Sequence, residues 1–172
     1  YRLDLFQEAL QLHADQRQSV WKPNVRAMTK QWLDMGLRPR AVTRDLTWGI
    51  NVPIDGDDWI GKCIYVWFES VQAYLTCSQI WSEKYGEDSS AWEAWWTNKE
   101  QSNPRHYYFL GKDNVPFHTV IWPAILMGLN HVRNGKTAND PIELPTIGDL
   151  HLEDNVPAME YLMLAGGQFS KS

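Results

Sequence analysis

Cysteine is scarce in this chain. Among 172 residues only Cys63 and Cys77 carry thiols, and they form no CxxC pair. Two such side chains are too few for a tetrahedral zinc site of their own. A single disulfide is chemically allowed. A chain with 44% hydrophobic residues does not need that staple, so two reduced thiols are expected. Long apolar runs are missing as well: nothing approaches the roughly 20 consecutive apolar residues of a membrane helix. The opening Tyr1-Arg2-Leu3-Asp4 carries acid and leads into no long apolar run, so no secretory leader is read and the expected compartment is the cytoplasm. Common nucleotide and hydrolase fingerprints are also lacking. Gly111-Lys112 is followed by Asp113 rather than Ser or Thr, with no glycine five residues earlier, which excludes a P-loop. There is no GxGxxG, and neither Ser70 nor Ser170 sits in a GxSxG elbow. No internal repeat or low-complexity tract occurs.

Ordinary globular composition is what remains, with 22% charged residues, which argues against a disordered chain. The length as a prior suggests one domain. The formal net charge of −5 argues against a broad nucleic-acid surface, which is normally basic. Charge is uneven, however. Residues 1–48 carry 8 basic and 5 acidic side chains, residues 49–103 carry 3 and 9, and residues 104–172 carry 5 and 7. The count of 10 tryptophans stands out and raises one alternative, a Trp-rich binding module that stacks planar ligands without catalysis.

Apolar spacing predicts the elements. Leu3 to Leu12 repeats at three and four residues, as does Val25-Met28-Trp32-Met35 after a linker at Pro23, with Gly36 as the stop. Cys63–Phe68 is apolar throughout, as in a strand covered on both faces, and Tyr107–Leu110 and Glu160–Leu164 read as further strands. Helical patterns follow from Val71 to Tyr85 and from Val115 to Gly128. In the second, Asp113 or Asn114 is placed to cap, Pro116 falls in the first turn and Pro123 predicts a kink. Alternating strands and helices predict an α/β fold with a parallel sheet. Two or three such strands make a small sheet with an open edge, which reads as a piece of a larger protein.

Ligands of open α/β sheets sit beyond the carboxyl ends of the strands. Two segments fall there, Trp67-Phe68-Glu69-Ser70 leading to Tyr74, and Phe109 through His118. The second is the richer. Gly111 admits close backbone approach, the Asp113 carboxylate can accept from hydroxyl or ammonium groups, and the following helix start favours anions. His118 lies one turn into that helix. Near the end, Lys171 stands between Ser170 and Ser172 in a glycine-led loop and offers a point charge for phosphate.

In family order the chain carries Arg40-Ala41-Val42-Thr43-Arg44-Asp45-Leu46-Thr47-Trp48-Gly49, Tyr65-Val66-Trp67-Phe68-Glu69-Ser70, Gly111-Lys112-Asp113-Asn114-Val115-Pro116-Phe117-His118 and Phe169-Ser170-Lys171-Ser172. These blocks, spread from about residue 23 to the end, resemble the methionyl-tRNA synthetases, which are class I aminoacyl-tRNA synthetases. GKDNVPFH is specific to this family within the class, and its presence weighs against the related synthetases for other aliphatic amino acids. FSKS resembles the class-wide KMSKS signature, with Gln168 and Phe169 where its first lysine and methionine stand. Glu69-Ser70-Val71 takes the place of the Asp-Ala-Pro found in many members.

The resemblance implies a divided architecture: residues 1–48 as the helical end of the connective insertion, and residues 49–172 as the second half of a Rossmann-like catalytic domain with flanking helices. The HIGH motif, the cysteine knuckles of the insertion and the anticodon-binding helices are not among these 172 residues, so activity of this chain by itself is not expected. It implies a methionine–tRNA ligase that forms methionyl-adenylate from methionine and ATP, with Mg2+ accompanying ATP, and transfers the aminoacyl group to tRNA(Met). On the matching positions Trp67, Tyr74, Asn114 and His118 would line the methionine site, with Trp122 packed behind it. Gly111 and Asp113 would contact the adenosine ribose of ATP or the substrate ammonium, Ser170 and Lys171 would meet ATP, and Lys171 would neutralise phosphate charge as the catalytic cation. No protein metal site and no membrane contact are implied.

Overall fold

The computed structural model describes residues 1–101, 103–164 and 167–168. The chain begins with a 3-10 turn, Leu3–Phe6, that runs into α1 (Gln7–Gln16). Leu3, Phe6, Ala9, Leu10 and His13 are buried at helical spacing. α2 (Pro23–Asp34) buries Val25, Thr29 and Leu33: Leu33 shares a cluster with Ala9 and Leu10 of α1, and Val25 packs with Trp21, Val156 and Ala158. Pro23 is itself the first helical residue, where its missing N–H costs nothing, so the helix begins within the stretch read as linker. The Gln7 side chain clamps the far end of α2, donating to Leu33 O (3.1 Å) and accepting from Leu37 N–H (2.8 Å). Gly36, at φ +73°, supplies the left-handed residue that ends the helix.

Strand β1 (Thr43–Asp45) pairs antiparallel with β2 (Lys62–Ile64), in the register Thr43↔Ile64, Arg44↔Cys63, Asp45↔Lys62. The apolar run expected as one buried strand therefore divides. After Ile64 the chain turns helical as α3 (Val66–Ser70), with Val66 and Trp67 exposed. A run of apolar residues reports low polarity and not its period, and here the second half faces outward instead of into a sheet. α4 (Ala73–Tyr85) follows as expected, then the short α5 (Glu93–Trp96).

A parallel strand pair is present, but with a different partner. β3 (Leu110–Gly111) pairs with β4 (Ala158–Met159), Leu110↔Ala158 and Gly111↔Met159, extended by a bridge between Tyr107 and Asn155. Residues 160–164, expected as the third strand of that sheet, instead contribute β5 (Met163–Leu164), antiparallel to β6 (Gly167–Gln168). The true partner was hidden by Asn155 and Pro157, residues that read as loop and that strands accommodate mainly at edges.

Between β3 and β4 runs the central helix. Phe117–Ile121 forms a π-helical turn and α6 spans Trp122–Arg133. Pro123 has no N–H for the preceding turn, and the widened turn before it is where the expected irregularity falls. This helix is the axis of the core. Val120, Trp122, Ala124 and Leu126 are fully buried among Leu3, Leu10 and Leu33 from α1 and α2, Val71 and Leu75 beside α4, and Leu150 and Leu152 before β4. The hydroxyls of Thr29 and Thr119 meet at 2.8 Å across the α2 contact. The α/β architecture with flanking helices thus agrees with expectation. Residues on both sides of position 48 share one hydrophobic core. Cys63 and Cys77 are free thiols. Among the described residues no helix is long and apolar enough to cross a membrane.

Candidate functional site

The carboxyl end of β3 delivers Gly111, and the chain then makes a 3-10 turn through Lys112, Asp113 and Asn114 before entering the central helix. A Cβ at Gly111 would meet nothing within 4 Å, so the backbone is open to close approach there. Neither Asp113 nor Asn114 caps the helix with its side chain, contrary to the expected role. Asp113 Oδ2 instead accepts from the Tyr161 hydroxyl. Asn114 contributes its backbone carbonyl, which accepts from His118 Nδ1–H at 2.9 Å.

His118 is buried, and both ring nitrogens are engaged. Because a carbonyl only accepts, the proton is on Nδ1, and Nε2 accepts from the Tyr74 hydroxyl at 2.9 Å. Burial pushes the imidazole below its ordinary value, with the Asn114 carbonyl opposing more weakly, so the ring is held neutral. Burial likewise raises the Tyr74 phenol, which keeps its proton and remains the donor. Trp67, 42% exposed, stacks on Phe117 with centroids 5.1 Å apart and planes at 28°. It thereby reaches the same helical turn from α3.

Around this pair the rings continue inward. Tyr108 lies 4.9 Å from Tyr74 and 5.3 Å from His118, and its hydroxyl accepts from Trp122 Nε1–H at 3.0 Å. Burial drives the Tyr108 phenol upward, so it too stays neutral. Trp122 is fully buried, 6.3 Å from Tyr74. No motif in the sequence marks Tyr108 as a site residue. Its signal was alternation along the strand, which places it on the face opposite the exposed Tyr107 and Phe109.

On the other side of Tyr74 a cavity of about 690 Å³ opens between α4 and the segment before β3, lined by Cys77, Trp95, Trp96, His106 and Tyr108 among others. A second, of about 720 Å³, lies between Phe6, Phe68 and α6 and touches none of the expected site residues. Trp67, Tyr74, Asn114 and His118 are therefore drawn together, with Gly111 and Asp113 at the adjoining strand end. Ser170 and Lys171 lie outside the described residues. No group of three or more His, Cys, Asp or Glu side chains suited to a metal ion occurs among the described residues.

Beneath the site is a polar cluster that sequence reasoning missed. Glu153 is 0% exposed and its Oε1 accepts from His13 Nε2–H at 2.8 Å. His151 bridges Asn98 Oδ1 (2.7 Å) and Asp154 Oδ2 (3.0 Å), and the same Asp154 oxygen accepts the backbone N–H of His106 (2.9 Å). Burial acts to raise Asp154, but the His106 N–H, His151 and Arg105 outweigh it and keep the carboxyl below its usual range. These contacts join residues 13, 98, 106 and 151–154, and only the fold brings such separations together.

The ten tryptophans do not form one platform. Trp21, Trp96 and Trp122 are buried, and the exposed Trp81 and Trp95 pair with each other at 4.9 Å.

A family model described as "tRNA synthetases class I (M)" matches residues 1–172. The chain is 42% identical over 172 residues to a methionine–tRNA ligase of Chlorobium limicola, covering all of this chain and 22% of the relative. It is 43% identical over 171 residues to that of Picrophilus torridus, covering 99% and 21%. The chain thus spans about a fifth of the length of these curated relatives. In fold it resembles the Mycobacterium tuberculosis methionyl-tRNA synthetase bound by methionyl-adenylate, with a TM-score of 0.62 and 21% identity over 94% of this chain and 26% of that one.

Proposed function

The chain belongs to the class I tRNA synthetases of the methionine type, and from that premise we propose that it is part of a methionine–tRNA ligase acting in the cytoplasm. In this reading residues 1–48 are the end of the connective insertion and residues 49–172 the second half of the catalytic domain. The observation that carries it is the neutral Tyr74–His118 pair, set among Trp67, Tyr108 and Phe117 beside the end of β3. A thioether has no strong donor or acceptor, and it is recognised by shape and sulfur–aromatic contact. A pocket of neutral rings suits it, whereas a charged imidazole would favour water.

The reaction proceeds in two displacements. The methionine carboxylate attacks the α-phosphorus of ATP, forming methionyl-adenylate as pyrophosphate leaves. A ribose hydroxyl of tRNA(Met) then attacks the activated carbonyl, and AMP leaves. Trp67, Tyr74, Asn114 and His118 hold the side chain of methionine. Gly111 and Asp113 receive the ribose of the nucleotide, a carboxylate being a good acceptor for sugar hydroxyls. Ser170 and Lys171 are assigned to ATP from the KMSKS-like block, Lys171 offsetting the charge that builds on the departing pyrophosphate. Mg2+ enters as the ATP complex, for which phosphate oxygens supply the preferred hard ligands. The protein's share of the rate enhancement is positioning and charge stabilisation.

The test is methionine-dependent ATP–pyrophosphate exchange by the full-length polypeptide. Exchange with methionine and not with leucine, isoleucine or valine is expected; preference for one of those three would overturn the substrate assignment. The 172-residue chain alone is expected to show no exchange.

A further inference from the structure

Four side chains beside the strand-end site form a chain of contacts that the proposed chemistry leaves unused. Asn24, in the first turn of α2, donates from Nδ2 to Glu160 Oε1 at 3.0 Å. The other oxygen of Glu160 pairs with Lys112 Nζ at 2.8 Å. The Lys112 ammonium stands 4.5 Å from the centroid of the Tyr161 ring. The Tyr161 hydroxyl, finally, donates to Asp113 Oδ2. Helix α2, the turn after β3 and the segment after β4 thus meet on one carboxylate.

Each link is exposed and weak alone, but each fixes the next. The Lys112 bond holds Glu160 below its usual range, and the Glu160 bond holds Lys112 above its own, so both are charged. The Asp113 bond raises the Tyr161 phenol, which keeps the proton it donates. Asp113 itself is exposed, and an exposed carboxylate with no such tether rotates among several orientations. Tethered through Oδ2, it keeps one. Among the described residues Oδ1 has no hydrogen-bond partner.

We propose that Tyr161 is a positioning residue for the nucleotide subsite: it anchors Oδ2 of Asp113 so that Oδ1 is preset to accept a ribose hydroxyl, with Lys112 and Glu160 anchoring Tyr161 in turn. This rests on the assignment of Asp113 to ATP made above. A group fixed before binding spares the ligand the entropy of fixing it, so the benefit appears in nucleotide affinity.

The experiment uses the full-length enzyme and measures ATP–pyrophosphate exchange with Asp113→Asn, Tyr161→Phe and the double variant. Asp113→Asn is expected to raise KM for ATP by about tenfold, the scale of a hydrogen bond to a charged group. Tyr161→Phe is expected to raise it by about threefold, a fraction of that, with kcat within about twofold and KM for methionine unchanged. Because Tyr161 acts through Asp113, the double variant should match Asp113→Asn alone. An altered KM in Asp113→Asn with none in Tyr161→Phe overturns the positioning role and leaves the site assignment standing. A Tyr161→Phe effect of equal size in the Asp113→Asn background also overturns it. An unchanged KM for ATP in Asp113→Asn removes the assignment and the inference together.

Discussion

His118→Leu separates a substrate-lining residue from a histidine that only completes the core. The substitution keeps the apolar bulk and deletes two hydrogen bonds, each at 2.9 Å, one from Nδ1–H to Asn114 O and one from the Tyr74 hydroxyl to Nε2. At about 1 kcal/mol for each neutral bond, the structural cost is at most about 2 kcal/mol. Tyr74 is 42% exposed and its hydroxyl can turn to water, which reduces that figure. A fall of a few degrees in Tm is therefore expected in either case and decides nothing. Binding decides it. If the imidazole shapes the methionine pocket, loss of its contacts and release of Tyr74 should cost about 1–3 kcal/mol of transition-state binding, a factor of about 10 to 200. The assay is exchange by the full-length enzyme over a range of methionine concentrations at saturating ATP, repeated over ATP at saturating methionine. A methionine KM raised tenfold or more with an unaltered ATP KM is the expected result. A lowered Tm with the methionine KM unchanged would refute the reasoning and return His118 to the core. Tyr74→Phe removes only one of the two bonds and should give a smaller shift in the same direction.

Burial holds both His118 and His106 below the ordinary histidine value of about 6.5, so near that pH the unfolded chain binds protons that the native chain excludes. Their stabilisation is complete above about pH 6.5 and is lost as pH falls toward the depressed native values; Tm between pH 7.5 and 5 should therefore decline, and decline less steeply in His118→Gln. A flat profile would contradict neutral burial. Replacing His13 by Leu leaves Oε1 of Glu153, a side chain that is 0% exposed, without its hydrogen-bond donor and should cost about 1–3 kcal/mol in denaturant unfolding. His13→Leu with Glu153→Met should recover most of that loss, since two apolar groups leave no buried polar atom unpaired, and a double variant as unstable as the single would show that the stranded acceptor was not the cause. Trp122→Phe removes the 3.0 Å bond to Tyr108 and part of a fully buried ring, so a loss of about 2–4 kcal/mol is expected, with a raised methionine KM if Tyr108 shifts.

The helices were the most legible part of the sequence. α1 and α2 bury residues three and four apart, a repeat set by backbone geometry alone, and Gly36 ends α2 because few other residues accept φ +73°. The segment from Gly111 to His118 was legible for a different reason: a glycine at a strand end followed by a polar turn and a helix is a local pattern with local consequences. The strands were much less so. Cys63 to Phe68 is equally apolar in its strand half and its helical half, and composition does not distinguish them; the change comes at Tyr65, whose N–H goes back to Val42 O. Pro157 lies within the stretch that pairs with β3, and a strand partner is chosen by a segment some 48 residues away, not by its own propensity.

The sequence by itself therefore determined the helices, the order of the blocks, the neutral and aromatic character of the residues around His118 and the family to which they belong, because each depends on spacing or residue type within a few turns of chain. Tertiary structure alone decided which strand lies beside β3, which proton His118 keeps, that Tyr108 joins the site, and that Tyr161 rather than the helix start claims Asp113. Apart from the local Asn114–His118 bond, these depend on contacts between residues 34 to 48 positions apart in the chain. Packing of helices and strands around two hydrophobic clusters brings such residues to within a hydrogen bond of each other.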